Sequence, residues 1–352
     1  MAVDPYPGAM PVLYATHPRY LEHSAGRGHP ESPARLRAVQ LGVQQAGLVD
    51  ALVPVDPVAA TDDELERIHP AAYRRALRSF CAAGGGSLDG DTSVVPESWD
   101  AALLAAGAGL EVIRQLQAGA GEVGFCAVRP PGHHALASQA MGFCLFNNVA
   151  VAAAALRDQG ERVAIVDYDA HHGNGTQDLF WADPDVFYVS THEWPQYPGT
   201  GGIREVGVGA GLGTTLNLPF PSFTTGDVFR RAFDEVVIPA LAAWQPTWLL
   251  VSAGFDAHRA DPITDLGLTS GDYADLTVAL LDLVPAGRRL LFLEGGYDLD
   301  ALSRCTGAVL SALVDGGAYR PEAATSGGPG GEVCGAALKI RGELADGYLQ
   351  SP

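Results

Sequence analysis

Val163-Ala-Ile-Val-Asp-Tyr-Asp-Ala-His-His-Gly173 decides how the chain is read. Val163–Val166 is apolar throughout, which suits a strand covered on both faces of a sheet. Alternate side chains of a strand share a face, so Asp167, Asp169 and His171 would point the same way at its end. Three ionisable side chains on one face of a buried strand are costly unless positive charge sits among them. A divalent metal is the simplest candidate, and Asp-x-His offers one oxygen and one nitrogen suited to zinc. A buried, hydrogen-bonded Asp–His pair is the plain structural alternative.

Working outward, short runs rich in β-branched and aromatic residues recur at Val12–Tyr14, Val123–Val128, Val186–Ser190, Thr214–Leu218, Trp248–Ser252 and Arg289–Glu294. Helical patterns lie between or beside them at Ala34–Ala46, Ser98–Gln117, Asn147–Asp158, Gly226–Ala243, Gly271–Leu283 and Leu299–Leu313. Ser98 reads as the cap of its helix, which ends near Gly119. Such alternation predicts an α/β fold with an open, mainly parallel sheet flanked by helices. No break in composition and no internal repeat divides the chain, so 1–352 reads as one domain. Residues from about Gly316 on are Gly/Pro-rich and read as a solvated terminus or an added element.

Ligands of open parallel sheets sit at the C-terminal ends of strands, and three further strand ends are unusual. Arg129-Pro-Pro-Gly-His-His-Ala135 offers adjacent histidines that could divide proton transfer from charge stabilisation; ordinary loop histidines are the alternative. Ser252-Ala-Gly-Phe-Asp-Ala-His-Arg-Ala-Asp-Pro262 offers Asp256, His258 and Asp261. Any one of them would complete a three-ligand metal site with a fourth position open, and the residues alone do not choose among them. Glu294-Gly-Gly-Tyr-Asp298 would present the Tyr297 hydroxyl as a donor to a developing oxyanion, or merely pack it at a loop base. No GxxxxGK[ST] or GxGxxG motif opens a helix after a strand.

Composition sets limits. Lys and Arg number 22 and Asp and Glu 41, a formal charge of −19, and 47% of residues are hydrophobic. The apolar content excludes a disordered chain. The acidic balance disfavours nucleic acid and favours cationic ligands. Five cysteines without a CxxC pair form neither a disulfide framework nor a Cys-based zinc site. Met1–Met10 lacks the pattern of a signal peptide, and Ala101–Leu110 and Val149–Leu156 are too short to span a bilayer. A reduced, cytoplasmic, membrane-free protein is the expectation.

The combination Pro130-Pro-Gly-His-His134, Gly142-Phe-Cys144 with Asn147-Asn148, Asp167–Gly173, Gly254–Pro262 and Glu294-Gly-Gly-Tyr297 resembles the zinc-dependent histone deacetylase family. Acetylpolyamine amidohydrolases belong to the same superfamily. His29-Pro-Glu-Ser-Pro-Ala-Arg-Leu36 resembles the family's first loop, and the likeness runs from about Val12 to Leu313, with 314–352 as an extension or tail. The resemblance implies the arginase/deacetylase fold and hydrolysis of an N-acetyl amine, such as an acetylated lysine side chain of a peptide or protein. It implies one zinc ion on Asp169, His171 and Asp261. His134 becomes the general base and acid with Asn174 behind it, an Asn there being similar to the class II branch. His133 becomes the electrostatic partner with Asp167 behind it, and Tyr297 the carbonyl-polarising donor. A structural potassium ion is implied near Asp167, Asp169, His171, Ser190 and Thr191. Phe143 and Tyr197 would wall a channel, Gly142 would offer its carbonyl, and Asp91 would orient the substrate at the rim. Leu268, seven residues past Asp261, would stand where polyamine-selective relatives carry an acid. The rival readings are a polyamine amidohydrolase and a non-catalytic acyl binder, and a homo-oligomer remains compatible with the sequence.

Overall fold

The computed structural model describes residues 11–347. The reading of Met1–Met10 lies outside them, as do the outermost ends of the 1–352 domain. The strands are β1 (Val12–Ala15), β2 (Leu52–Val55), β3 (Gly86–Ser87), β4 (Ser93–Val94), β5 (Val123–Cys126), β6 (Val163–Asp167), β7 (Val186–Glu193), β8 (Thr215–Phe220), β9 (Trp248–Ala253) and β10 (Arg289–Leu293). Eight of them form one sheet in the order β2-β1-β5-β10-β9-β6-β7-β8. Every neighbouring pair in it is parallel. The short β3 and β4 pair separately and antiparallel.

The helices are α1 (Ala34–Gln45), α2 (Asp62–Glu66), α3 (Ala71–Ala82), α4 (Ser98–Gln117), α5 (Asn148–Arg157), α6 (Asn174–Leu179), α7 (Gly226–Ala232), α8 (Ile238–Trp244), α9 (Ser270–Leu281), α10 (Leu299–Asp315) and α11 (Gly331–Ala345). A π turn over Phe233–Val237 joins α7 to α8 just before Pro239. That proline has no N–H to continue the α-helical ladder.

Strand alternation distributes the core to two helix layers. On one face Leu290 packs toward Val112 of α4, while Phe292 lies against Gly109 of α4. On the other, Leu291, Leu249 and Val251 surround Thr277 and Leu280 of α9. Glycine lets α1 and α10 meet closely: a Cβ at Gly42 would strike the carbonyl of Ser303.

The sequence pattern left out α2, α3, α6, β3 and β4, and three further departures have a reason in the packing. The expected cap Ser98 is the first residue of α4; its hydroxyl instead accepts the Val95 N–H at 2.9 Å and pairs with His23 Nδ1 at 2.7 Å. The sequence pattern left out β2, a terminal strand whose Pro54 suits only an edge. Part of the segment read as a solvated terminus is α11, which buries Val333, Cys334, Ala337 and Ile340. Gly335 and Gly342 weaken its intrinsic helicity. Packing against β8 and the Arg341 hydrogen bond to the Gly213 carbonyl (2.7 Å) offset that weakness.

Replacing Ala337 by Asp would bury a carboxylate under α11. The expected loss is about 2–3 kcal/mol of unfolding free energy in urea titration. An unchanged midpoint would mean that α11 does not contribute to the fold.

Candidate active site

β5, β10, β9 and β6 are consecutive in the sheet, so the loops that follow them converge on one stretch of its C-terminal edge. These are the loops singled out in the sequence.

From β6, Asp167 turns its carboxylate to His133 Nδ1 (3.0 Å) and the Tyr188 hydroxyl (3.2 Å). Asp169 follows, its Oδ2 accepting the Gly295 N–H at 2.7 Å. The His171 Nδ1 lies 3.3 Å from Asp169 Oδ1 and 3.0 Å from Asp256 Oδ2. Among the described residues Asp169, His171 and Asp256 form the group whose ligand atoms lie within 4.8 Å of one another, all three buried. This corrects the expected trio, which took Asp261. Asp256 leaves β9 three residues after the strand, near the sheet edge. Five residues on, the chain has turned, and the Asp261 carboxylate accepts the N–H groups of Tyr297 (2.7 Å), Asp298 (3.3 Å) and Ile263 (3.1 Å).

The donor set fits a zinc ion. It is O, N, O, the chemistry of a three-ligand zinc site with an open fourth position. Backbone closes around it: a Cβ on Gly254 would strike the Asp169 carboxylate, and one on Gly295 would strike Asp256. The charge pattern agrees. Burial, then the neighbouring Asp169, pushes the Asp256 carboxyl up to about 6. Burial opposes charge on His171, yet Asp169 and Asp256 push it up to about 10. Buried carboxylates in this number call for a cation among them.

The two histidines part company. Burial works against a charged His133, but Asp167, Asp169 and Glu294 together raise it well above its ordinary value. Burial, with His133 and His171 adding repulsion, holds His134 well below its own. The rings lie 4.0 Å apart. His134 Nδ1 meets the Asn174 Oδ1 at 2.8 Å. A carbonyl oxygen only accepts, so Nδ1 carries the proton and Nε2 keeps a lone pair.

A cavity of about 220 Å³ opens above these groups, large enough for a single linear side chain. His134, His171, Gly142, Phe143, Tyr197, Tyr297 and Asp91 line it. Phe143 faces Tyr297 edge-on at 5.7 Å, and Tyr197 faces His134 at 5.1 Å. Phe143 has φ 68°, an uncommon left-handed setting for an aromatic residue; its N–H donates to the Thr92 hydroxyl at 3.1 Å. Two lining residues that the sequence did not suggest, Gln196 and Ile263, complete the cavity.

Leu268 is fully buried and does not line the cavity, a second correction. The loop doubles back, so that the Leu268 N–H donates to the Ala257 carbonyl and its side chain lies beneath the surface. Ser190 and Thr191 are buried on β7, where Ser190 pairs with His192 and the Thr191 hydroxyl donates to the Asp167 carbonyl. Glu294 had no role in the sequence reading beyond opening its motif. Its Oε2 accepts the N–H groups of Gly132 (2.7 Å) and His133 (3.2 Å), joining the tyrosine loop to the histidine loop. Arg35 stands 5.0 Å from the Tyr297 ring and donates to the Gly296 carbonyl at 2.7 Å. Only its place in the His29–Leu36 stretch hinted at it.

A family model described as the histone deacetylase domain matches residues 29–313. The chain belongs to the histone deacetylase family. It is 39% identical over 314 residues to "Histone deacetylase 10, chloroplastic" of Oryza sativa subsp. japonica, covering 83% of this chain and 70% of that protein. It is 37% identical over 300 residues to "Histone deacetylase-like amidohydrolase" of Pseudomonas aeruginosa, covering 84% and 79%. A "Probable deacetylase" of Archaeoglobus fulgidus is 36% identical over 321 residues, covering 87% and 89%. Among solved structures, the crystal structure of the HDA15 HD domain superimposes with a TM-score of 0.88 at 36% identity, covering 96% of this chain and 97% of that one. The fold is therefore the arginase/deacetylase fold and the protein is a hydrolase of a family that depends on zinc. No helix among the described residues is long and apolar enough to cross a membrane.

The two carboxylates of the β9 loop separate in experiment. Asp256→Asn should weaken zinc binding by more than the roughly 10–100-fold typical of an outer-shell change, read by metal analysis after dialysis. Asp261→Asn should keep its zinc. The reverse pattern would restore Asp261 as the ligand.

Proposed function

We propose that this histone deacetylase family member removes the acetyl group from N-acetylated lysine side chains. The observation that carries the reading is the geometry of the cavity. Two aromatic walls, Phe143 and Tyr197, lead inward to His134, His171 and Tyr297, with the acid Asp91 at its lining. A lysine side chain is apolar along its stem and polar only at its acylated tip, which such a channel matches.

Asp169, His171 and Asp256 would hold the zinc ion, which supplies a Lewis acid to polarise the acyl carbonyl and to activate water. The protein's own groups do the rest. His134 Nε2 takes the proton of the attacking water, since Asn174 fixes its other nitrogen as the donor. His133, kept cationic by Asp167, stabilises the negative charge that develops beside it. The Tyr297 hydroxyl donates to the oxyanion. His134 then returns the proton to the departing amine, which leaves neutral. Asp261 and Arg35 position Tyr297 through its backbone N–H and the neighbouring Gly296 carbonyl. A structural potassium ion beside Asp167, Asp169, His171, Ser190 and Thr191 belongs to the same reading.

The test is steady-state kinetics on an acetyl-lysine peptide and on acetylated polyamines. The peptide should be preferred, and higher kcat/KM on the polyamines would overturn the substrate assignment. Tyr297→Phe should lower kcat on the peptide by about 10²–10³, and a variant at full activity would remove the oxyanion role.

The pH profile tests His134. Its working form is the unprotonated one, present above its pKa and lost as the pH falls through it. The lowered pKa therefore extends activity toward acid. Asn174→Asp puts a carboxylate at Nδ1 and should raise that pKa, moving the acid limb of kcat/KM to higher pH by about one unit or more. An unmoved limb would mean that another group sets it.

A further inference from the structure

The segment that follows α10 lies outside residues 29–313, the stretch matched by the family, yet it reaches the loop that carries Asp256. We propose that Glu322 in this segment is a positioning residue for the metal-holding loop, fixing it at both ends with one carboxylate. The proposal rests on the zinc-site reading above.

Four contacts carry it. Glu322 Oε2 lies 2.9 Å from His258 Nε2 and 3.2 Å from the backbone N of Ser270. His258 is two residues past Asp256, and Ser270 opens α9 where the loop ends, so the carboxylate spans the loop from start to finish. Arg259 approaches Oε1 at 3.4 Å, and Arg304 of α10 approaches Oε2 at 3.4 Å. Burial opposes charge on this half-buried acid, but His258 and the Ser270 amide hold its carboxyl below the ordinary range.

His258 transmits the hold. It is 1% exposed. Its Nδ1 accepts the Ala260 N–H at 3.1 Å, so Nε2 carries the proton and donates to Glu322. Its carbonyl accepts the Asp261 N–H at 2.8 Å. The imidazole thus braces the turn between Asp256 and Asp261 from both of its nitrogens. The segment also ties to the loop without touching the His258 side chain: the Thr325 hydroxyl donates to the Gly267 carbonyl at 2.9 Å, and the Ala323 carbonyl accepts the Thr269 hydroxyl at 2.7 Å. The segment lies close on α9, since a Cβ at Gly271 would come 2.5 Å from the Glu322 carbonyl.

Groups that orient a metal ligand from outside the coordination shell typically contribute 10–100-fold to metal retention. A strap that only stabilises the fold would leave the rate of metal release alone. The experiment uses the full chain loaded with zinc and follows zinc release to a coloured chelator, with the melting temperature of the metal-free protein measured alongside. Glu322→Ala should release zinc about 10–100-fold faster than the wild type. Thr325→Val, which loosens the same segment without touching His258, should lower the melting temperature and release zinc at close to the wild-type rate. Equal acceleration in both variants, or none in Glu322→Ala, would overturn the proposal alone. Should the alanine variant not fold, Glu322→Asp decides. It keeps the charge but is one methylene too short to reach both His258 and Ser270, and a wild-type release rate from it would overturn the proposal. Wild-type chain that takes up no zinc would overturn the site reading and this proposal together.

Discussion

Asp169 and Asp256 are fully buried beside one imidazole nitrogen, the Nδ1 of His171, and the rest of the site is arranged around that concentration of negative charge. Water would solvate these carboxylates at no cost; the protein interior does not. The compensation is local. Gly295 gives Asp169 a backbone N–H, Ala170 gives one to Asp256 at 2.8 Å, and the loops that bring these amides in need glycine where the backbone runs against a carboxylate. The remaining deficit is what a divalent ion answers. Sheet order explains how this is assembled, since the loops after four adjacent strands supply the carboxylates, the histidines and Tyr297.

From the same charge follows the division between the two histidines. His133 sits over Asp167 and near Asp169 and stays cationic; its neighbour His134, paired with a neutral amide and crowded by two other imidazoles, stays free to accept a proton. Two identical side chains one residue apart acquire opposite chemistry from what stands behind each of them. Glu294 couples the halves mechanically, as its carboxylate is held by amides of the histidine loop while its backbone carbonyl is held by Arg35.

Much of this was legible in the residues. Long apolar runs such as Val163–Val166 and Trp248–Val251 announce buried parallel strands, and the polar residues that end them announce the site. What stayed hidden depends on the path of the chain in three dimensions. Asp256 and Asp261 follow the same strand in the same loop, and only the turn between them shows which carboxylate meets His171 and which caps the Tyr297 amide. Counting forward to Leu268 failed because it began at Asp261; seven residues past Asp256 is Ile263, which lines the cavity, whereas Leu268 folds back on Ala257. β2 and α11 escaped because Pro54 and two interior glycines contradict local preference, which tertiary packing then overrides.

Pro54 has a wider consequence. β2 ends the eight-stranded sheet, and Val53 beside it is 40% exposed. An open strand edge of this kind invites a second chain to dock along it and begin self-association. A proline removes one of the amides that such docking would need, so the enzyme can concentrate its chemistry at one end of the sheet while this margin stays a poor template for aggregation.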